Sequence, residues 1–322
     1  MPKSRTLEDT LAALHRLRDD PYAPAALAEL RRVLAGKTSH AIAKAAQIAG
    51  ESEIGVLTPE LVAAFDRLMT NPVKSDPTCA GKTAIAEALY RIGHDDDTVF
   101  LRGIHHRQME PVYGGRVDTA ADLRAACALG LVRMNHPDAL VELADLLADP
   151  ERRARVGAAQ ALAYLGGDQG VPLLRLKVLS GDAEPEVISE CLAALLRTAP
   201  ASSLSFVGRL LHRPDESLQE AAALALGGSR LAEAFDVLRQ WWERTPEPAQ
   251  RRTALLAIAM LRRDVALDFL FSLVRDADGP TAREALAALG MYRHDEQIRQ
   301  RVHDAVTQRR DIDLRSAFAK TF

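Results

Sequence analysis

Along most of the chain, Ala, Leu and Val return every three or four residues between polar stretches, which is the period of an amphipathic helix. The pattern itself repeats. Seven segments align: KTAIAEALYRIG (82–93), DLRAACALGLVR (122–133), RVGAAQALAYLG (155–166), ISECLAALLRTA (188–199), QEAAALALGGSR (219–230), RRTALLAIAMLR (251–262) and AREALAALGMYR (282–293). One column holds Leu89, Leu129, Leu162, Leu195, Leu226, Ile258 and Leu289, at steps of 40, 33, 33, 31, 32 and 31. Three residues earlier stand Ala86, Ala126, Ala159, Leu192, Ala223, Leu255 and Leu286. Residues at i and i+3 share a helix face, so each segment presents a stripe of Ala and Leu.

Between these segments lie second amphipathic stretches such as DALVELADLLAD (138–149) and ALDFLFSLVRD (266–276). Pro marks the junctions at HPD, DPE, EPE, RPD, PEP and GPT, where it ends one helix or fills the first turn of the next. No stretch reads as a strand. A helix pair of this kind buries its apolar face only by stacking on neighbours. The expected fold is therefore all-α, a right-handed superhelical α-solenoid of helix pairs forming a single domain over 1–322. Residues 6–38 would supply N-terminal capping helices and 39–293 the repeats. Residues 294–322 would form a C-terminal cap and a tail that frays or folds back.

Composition narrows the possibilities. A net charge of −3 and a pI near 6.3 argue against nucleic acid as the default partner. Cys79, Cys127 and Cys191 are odd in number and widely spaced, so neither a zinc ribbon nor a disulfide framework is indicated. They read as small buried apolar groups in a cytoplasmic protein. The first twenty residues contain no apolar run of the signal-peptide type, and no 18-residue apolar stretch suggests a membrane span. CAGKT (79–83) superficially suggests a phosphate-binding loop. Asp76 stands where the first Gly of that motif is required, no strand precedes it, and Lys82 reads as an exposed helix-face residue.

The long first step, 40 against about 32 later, places an insertion of about eight residues in the segment GIHHRQMEPVYGGRVDT (103–119). Pro111 and Gly114-Gly115 enforce a loop over 103–117. Asp118 or Thr119 can cap the following helix. Recognition would use His105, His106, Arg107, Glu110, Tyr113 and Arg116, which combine an aromatic ring, cations and titratable groups on one element. A metal or catalytic role for His105, His106 and Glu110 is a weaker reading, because adjacent histidines point in different directions. Polar positions five to seven before the Leu column suggest a second, concave surface: Lys82, Arg124, Arg155, Glu190, Arg251, Arg252 and Arg283. Trp242 falls at core spacing with Phe235 and Leu238, which leaves Trp241 at the edge, partly exposed.

The helices LRAACALGLVR, RVGAAQALAYLG and AREALAALG resemble HEAT-like repeats of the phycobilisome-lyase type over about residues 39–310. The segment EPVYGG with the helix after it is similar to parts of bacterial HEAT-repeat proteins. The resemblance implies the solenoid and leaves the activity open, since relatives include adaptors, scaffolds, chromophore-attachment chaperones and a few enzymes. Di-iron hydroxylases of this fold class use His-Glu pairs, and this chain has no His-Glu dipeptide. DNA glycosylases of the class use a basic aromatic groove, whereas acidic residues interleave with the arginines here. The expected function is a non-catalytic protein-binding scaffold or adaptor without cofactor or metal, using the concave face and the 103–117 loop. The alternative is an enzyme or lyase-like chaperone acting on a ligand near that loop. Nucleic-acid binding comes third.

Overall fold

The computed structural model describes residues 7–309 and 311–322. Thr6, expected at the start of the N-terminal cap, lies outside the described residues, as do the first five of the twenty residues that contain no apolar run. The chain divides into two compact units, Met1–Leu173 and Leu174–Phe322. Both are built of helix pairs.

The first unit contains α1 (Leu7–Arg16), α2 (Pro24–Leu34), α3 (Ser39–Glu51), α4 (Thr58–Met69) and the single turn α5 (Pro72–Ser75). It continues with α6 (Ala80–Ile92), α7 (Thr98–Ile104), β1 (Met109–Val112), β2 (Gly115–Asp118), α8 (Ala121–Arg133), α9 (Ala139–Leu147) and α10 (Arg152–Leu165). Helix α11 (Val171–Ser180) contains the division point. The second unit holds α12 (Pro185–Thr198), α13 (Pro200–Leu210), α14 (Glu216–Ser229), α15 (Ala234–Arg244) and α16 (Pro248–Met260). It ends with α17 (Asp264–Asp276), α18 (Gly279–Leu289), α19 (Glu296–Arg309) and α20 (Ile312–Thr321). This is an all-α repeat fold carrying one short hairpin.

In the first unit α3, α6, α8 and α10 pack side by side in chain order, and α4, α7 and α9 flank them. In the second unit α12, α14, α16 and α18 form the corresponding row, flanked by α13, α15, α17 and α19. The Leu column lies in these rows and is buried except at Leu129, which is half-buried, and the column three residues earlier is buried throughout. Small residues set the spacing of the rows. A Cβ added at Gly50 of α3 would lie 2.7 Å from the Cα of Ala88 in α6. At Gly157 of α10 it would strike the methyl of Ala125 in α8. A side chain at either position would have to push two backbones apart.

The C-terminal tail folds back. Leu314 is fully buried, and α20 packs on α18 with the Thr321 methyl against Gly290. Trp241 is buried, only 3% exposed, so the expectation of an edge position is corrected: α15 turns both indoles inward. The Trp242 ring meets Phe269 edge-on at 5.4 Å and carries the Arg251 guanidinium on its face at 4.5 Å. Among the described residues no helix is long and apolar enough to cross a membrane.

Candidate functional site: a hairpin anchored by buried ion pairs

The sequence leads to a loop at 103–117, and the structure places a folded element there. Gly103 and Ile104 finish α7, and the following residues form an antiparallel hairpin. Met109 pairs with Asp118, Glu110 with Val117, Pro111 with Arg116 and Val112 with Gly115. The expectation that the chain contains no strand is therefore corrected. Two features allow so short a pairing. Tyr113-Gly114 make a two-residue turn with φ of 87° at Gly114, a conformation open to Gly. The base of the hairpin is then tied into the helical core.

That base rests on three acidic residues in equivalent places, Asp76, Asp118 and Asp149. Each precedes a basic residue by six positions: Lys82, Arg124 and Arg155. Asp76 accepts the amides of Gly81 and Lys82, both at 2.9 Å, at the start of α6. Its carboxylate also lies 3.0 Å from Lys82 Nζ, and both side chains are completely buried. Asp118 accepts the amides of Gln108 and Ala120, each at 3.0 Å, the latter just ahead of α8. Asp149 accepts the Glu151 amide at 2.8 Å. The Arg124 guanidinium, 1% exposed, spans the second and third acids, with Nη1 donating to Asp118 at 2.9 Å and Nη2 to Asp149 at 3.0 Å. It also donates to the His106 carbonyl. Arg155 donates to the carbonyls of Asp149 and Pro150.

The hairpin adds a second set of bonds. Gln108 is buried, and its Nε2 donates to the Asp76 carbonyl at 2.8 Å and to Glu110 at 2.6 Å. Glu110 also accepts from the Thr78 amide and the Thr119 hydroxyl, both at 2.7 Å. Thr78 and Cys79 are held in the left-handed region at φ of 64° and 59°. Such non-glycine residues cost roughly 1–3 kcal/mol each and persist only where surroundings enforce them. The Glu110 bond to the Thr78 amide is one such constraint. Arg107, half-exposed, closes the outer side with a 3.1 Å bond to Asp149.

Titration follows from these contacts. Burial opposes ionisation of Asp118, but the Gln108 and Ala120 amides and the Arg124 charge outweigh it and hold its carboxyl below the usual range. Desolvation likewise opposes ionisation of Glu110, and its bonds from Gln108, Thr119 and Thr78 prevail, again lowering it. His106 is lowered chiefly by burial, against a raising bond to Gln108. Burial pushes the Cys79 and Cys191 thiols up to about 12 and that of Cys127 upward as well, so all three stay neutral as expected of small core groups.

An acid titration of stability tests the anchor. A carboxyl whose folded pKa lies below its unfolded value, roughly 3.9 for Asp, adds stability above that value and loses it as pH falls through the folded one. The denaturation midpoint of the wild type should fall below about pH 4, and Asp118→Asn should show a shallower slope from a lower plateau. An unchanged slope would remove Asp118 from the account.

The other expected site residues separate into two groups. Lys82, Arg124 and Arg155 are buried ladder residues, which corrects their placement on an exposed concave face. Lys82 in particular turns inward to Asp76 instead of lying on a solvated face. Glu190, Arg251, Arg252 and Arg283 keep part of their surface accessible. Arg252 and Glu284 approach to 3.7 Å, and Arg251 is engaged with Trp242. In the hairpin, His105 reaches Glu142 at 3.2 Å, while His106 turns to Gln108. They do not converge with Glu110, and no cluster of three or more His, Cys, Asp or Glu suited to a metal occurs among the described residues. Tyr113 and Arg116 are exposed, as are Val112 and Val117.

Asp76, Gln108 and Asp149 were missed from sequence. The available signal was the recurrence of an acid six residues before a base, at 76/82, 118/124 and 149/155.

Comparison with known proteins agrees with this architecture. Residues 174–259 match the HEAT repeats family profile, which fits the all-α repeat fold seen there. No curated protein matches it in sequence. Among solved structures, YibA of Escherichia coli is 14% identical, covers 95% of this chain and 99% of its own, and has a TM-score of 0.44. The complex of CpcE and CpcF of phycocyanin lyase from Nostoc sp. PCC7120 is 17% identical, with 88% and 94% covered and a TM-score of 0.37. Human deoxyhypusine hydroxylase is 18% identical, with 92% and 93% covered and a TM-score of 0.32. These likenesses concern the arrangement of helix pairs alone.

Proposed function

We propose that the chain is a non-catalytic protein-binding scaffold that recognises its partner chiefly through the tip of the β1–β2 hairpin. The observation that carries this reading is the contrast between the hairpin's two ends. Its base is locked to Asp76, Arg124 and Asp149, while its tip leaves Tyr113 wholly exposed, at 108%. Val112, next to it in the chain, is 50% exposed, and Val117, across from Glu110 nearer the base, is 41% exposed. An apolar cluster held rigidly in water loses little conformational entropy on binding, which is the condition under which an aromatic anchor contributes most. Arg116 adds a cation to the same tip, and Glu190, Arg252 and Arg283 offer a second, more polar contact surface.

Affinity capture from a native lysate tests this with wild type and a Tyr113→Ala, Arg116→Ala variant of matched helical circular dichroism. The variant should lose a protein that wild type retains. Retention of the same protein by both would dismiss the hairpin as the recognition element. Capture of no protein by wild type would count against the scaffold itself.

A further inference from the structure

We infer that the hairpin's partner is a second copy of this chain, whose groove between α12 and α14 receives the tip. This rests on the reading of the hairpin as a recognition element and supplies its occupant.

The hairpin contacts other molecules through side chains, because its backbone edges are closed or short. In an antiparallel pair joined by a two-residue turn, Met109, Pro111 and Arg116 turn their backbone groups outward. Pro111 has no N–H to offer, and the Met109 carbonyl already accepts a bond from Arg116 Nη2 at 3.0 Å. On β2, Asp118 is buried, which leaves Arg116 as the one exposed outward-facing residue. Such an edge resists strand addition. What the hairpin presents is a phenol ring flanked by aliphatic groups and one guanidinium.

The second unit holds a concave surface of matching chemistry. A groove of about 710 Å³ runs between α12 and α14, lined by Ala193, Leu196, Ala221 and Leu224 together with the charged Glu186, Glu190 and Arg197. Its volume lies within the range of roughly 300–1,000 Å³ typical of sites that enclose a compact ligand. The small residues leave room for an aromatic ring. Glu190 approaches Arg197 only to 3.7 Å, so its carboxylate can take a closer bond from an incoming guanidinium. An aliphatic lining with the loosely paired Glu190 beside it complements a tip that carries Tyr113, Val112 and Arg116.

A tip-to-groove contact either closes reciprocally into a two-fold dimer, each tip in the other copy's groove, or continues head to tail into larger rings or chains. Sedimentation and light scattering on the full chain read this directly. Wild type should gain mass with concentration, to a dimer or beyond. Tyr113→Ser and Ala193→Arg, both at exposed positions, should each be monomeric alone, with self-association weakened about 30-fold or more, as for loss of a central anchor. Mixed together, they should form a 1:1 dimer, because one retains an intact groove and the other an intact tip. Arg116→Glu should weaken association, and Glu190→Arg added to it should restore it. Wild type that stays monomeric at its highest soluble concentration would overturn the inference, as would mass gain unaffected by either substitution. If wild type is monomeric and the tip variant still loses a captured protein, the recognition reading stands and the self-association inference falls.

Discussion

Replacing Arg124 by Met is expected to destabilise the first unit by about 3–5 kcal/mol, the usual cost of removing one partner from a buried ion cluster. The guanidinium is what joins Asp118 and Asp149 in the interior, since it bonds both at 2.9–3.0 Å and is itself enclosed. Without it the two acids would retain amide donors and the half-exposed Arg107. The base of the hairpin would lose its link between α8 and the turn before α10. Two measurements check this: the urea midpoint, and cleavage at the Tyr113-Gly114 turn by a protease too weak to cut wild type. Arg124→Lys should fall between, keeping the charge but losing the planar fork that reaches two carboxylates at once. A loss below about 1 kcal/mol for Arg124→Met would mean that water reaches the acids and the anchor is not a buried one.

Gly157→Leu should be comparably severe, at about 3 kcal/mol, for a steric reason. Gly157 faces Ala125 where α10 crosses α8, and a Cβ there would already lie 2.9 Å from the Ala125 Cα. A larger side chain must separate two adjacent row helices, which would loosen the Arg124–Asp149 contact as well. Gly115→Ala is the control, since no atom lies within 4 Å of its Cβ position, and its thermal midpoint should stay near that of wild type. Equal losses in the two variants would show that the row spacing is not set by Gly157.

The ladder residues show how much of the candidate site could be read in advance. Lys82 stands three, four and seven residues before Ile85, Ala86 and Leu89, all of them buried. Arg155 has the same relation to Ala158, Ala159 and Leu162, and Arg124 to Cys127, Ala128 and Leu131. Periodicity therefore placed all three bases on the inward face, and their charge suggested the opposite. Charge misleads because burial of a base is permitted once an acid meets it, and the acids stand six residues earlier, ahead of the helices. The hairpin was obscured differently. Pro111 and the two glycines marked a break in the helices, but a four-residue strand has too few positions to show a two-residue period.

The helix pairs, their repeat length, the buried Leu and Ala columns and the neutral core cysteines were determined by the sequence itself. Each follows from local periodicity and from the cost of leaving an apolar stripe in water. Which polar residues are buried, and which are left to meet a partner, was decided only by the tertiary structure. Asp76, Asp118 and Asp149 accept amides near the starts of three successive row helices, and Arg124 joins Asp118 to Asp149, which lies 25 residues further along the chain from it. Whether a charge is stable inside depends on distances of about 3 Å between groups remote in sequence. Close packing of the rows sets those distances, and local propensity carries no information about them.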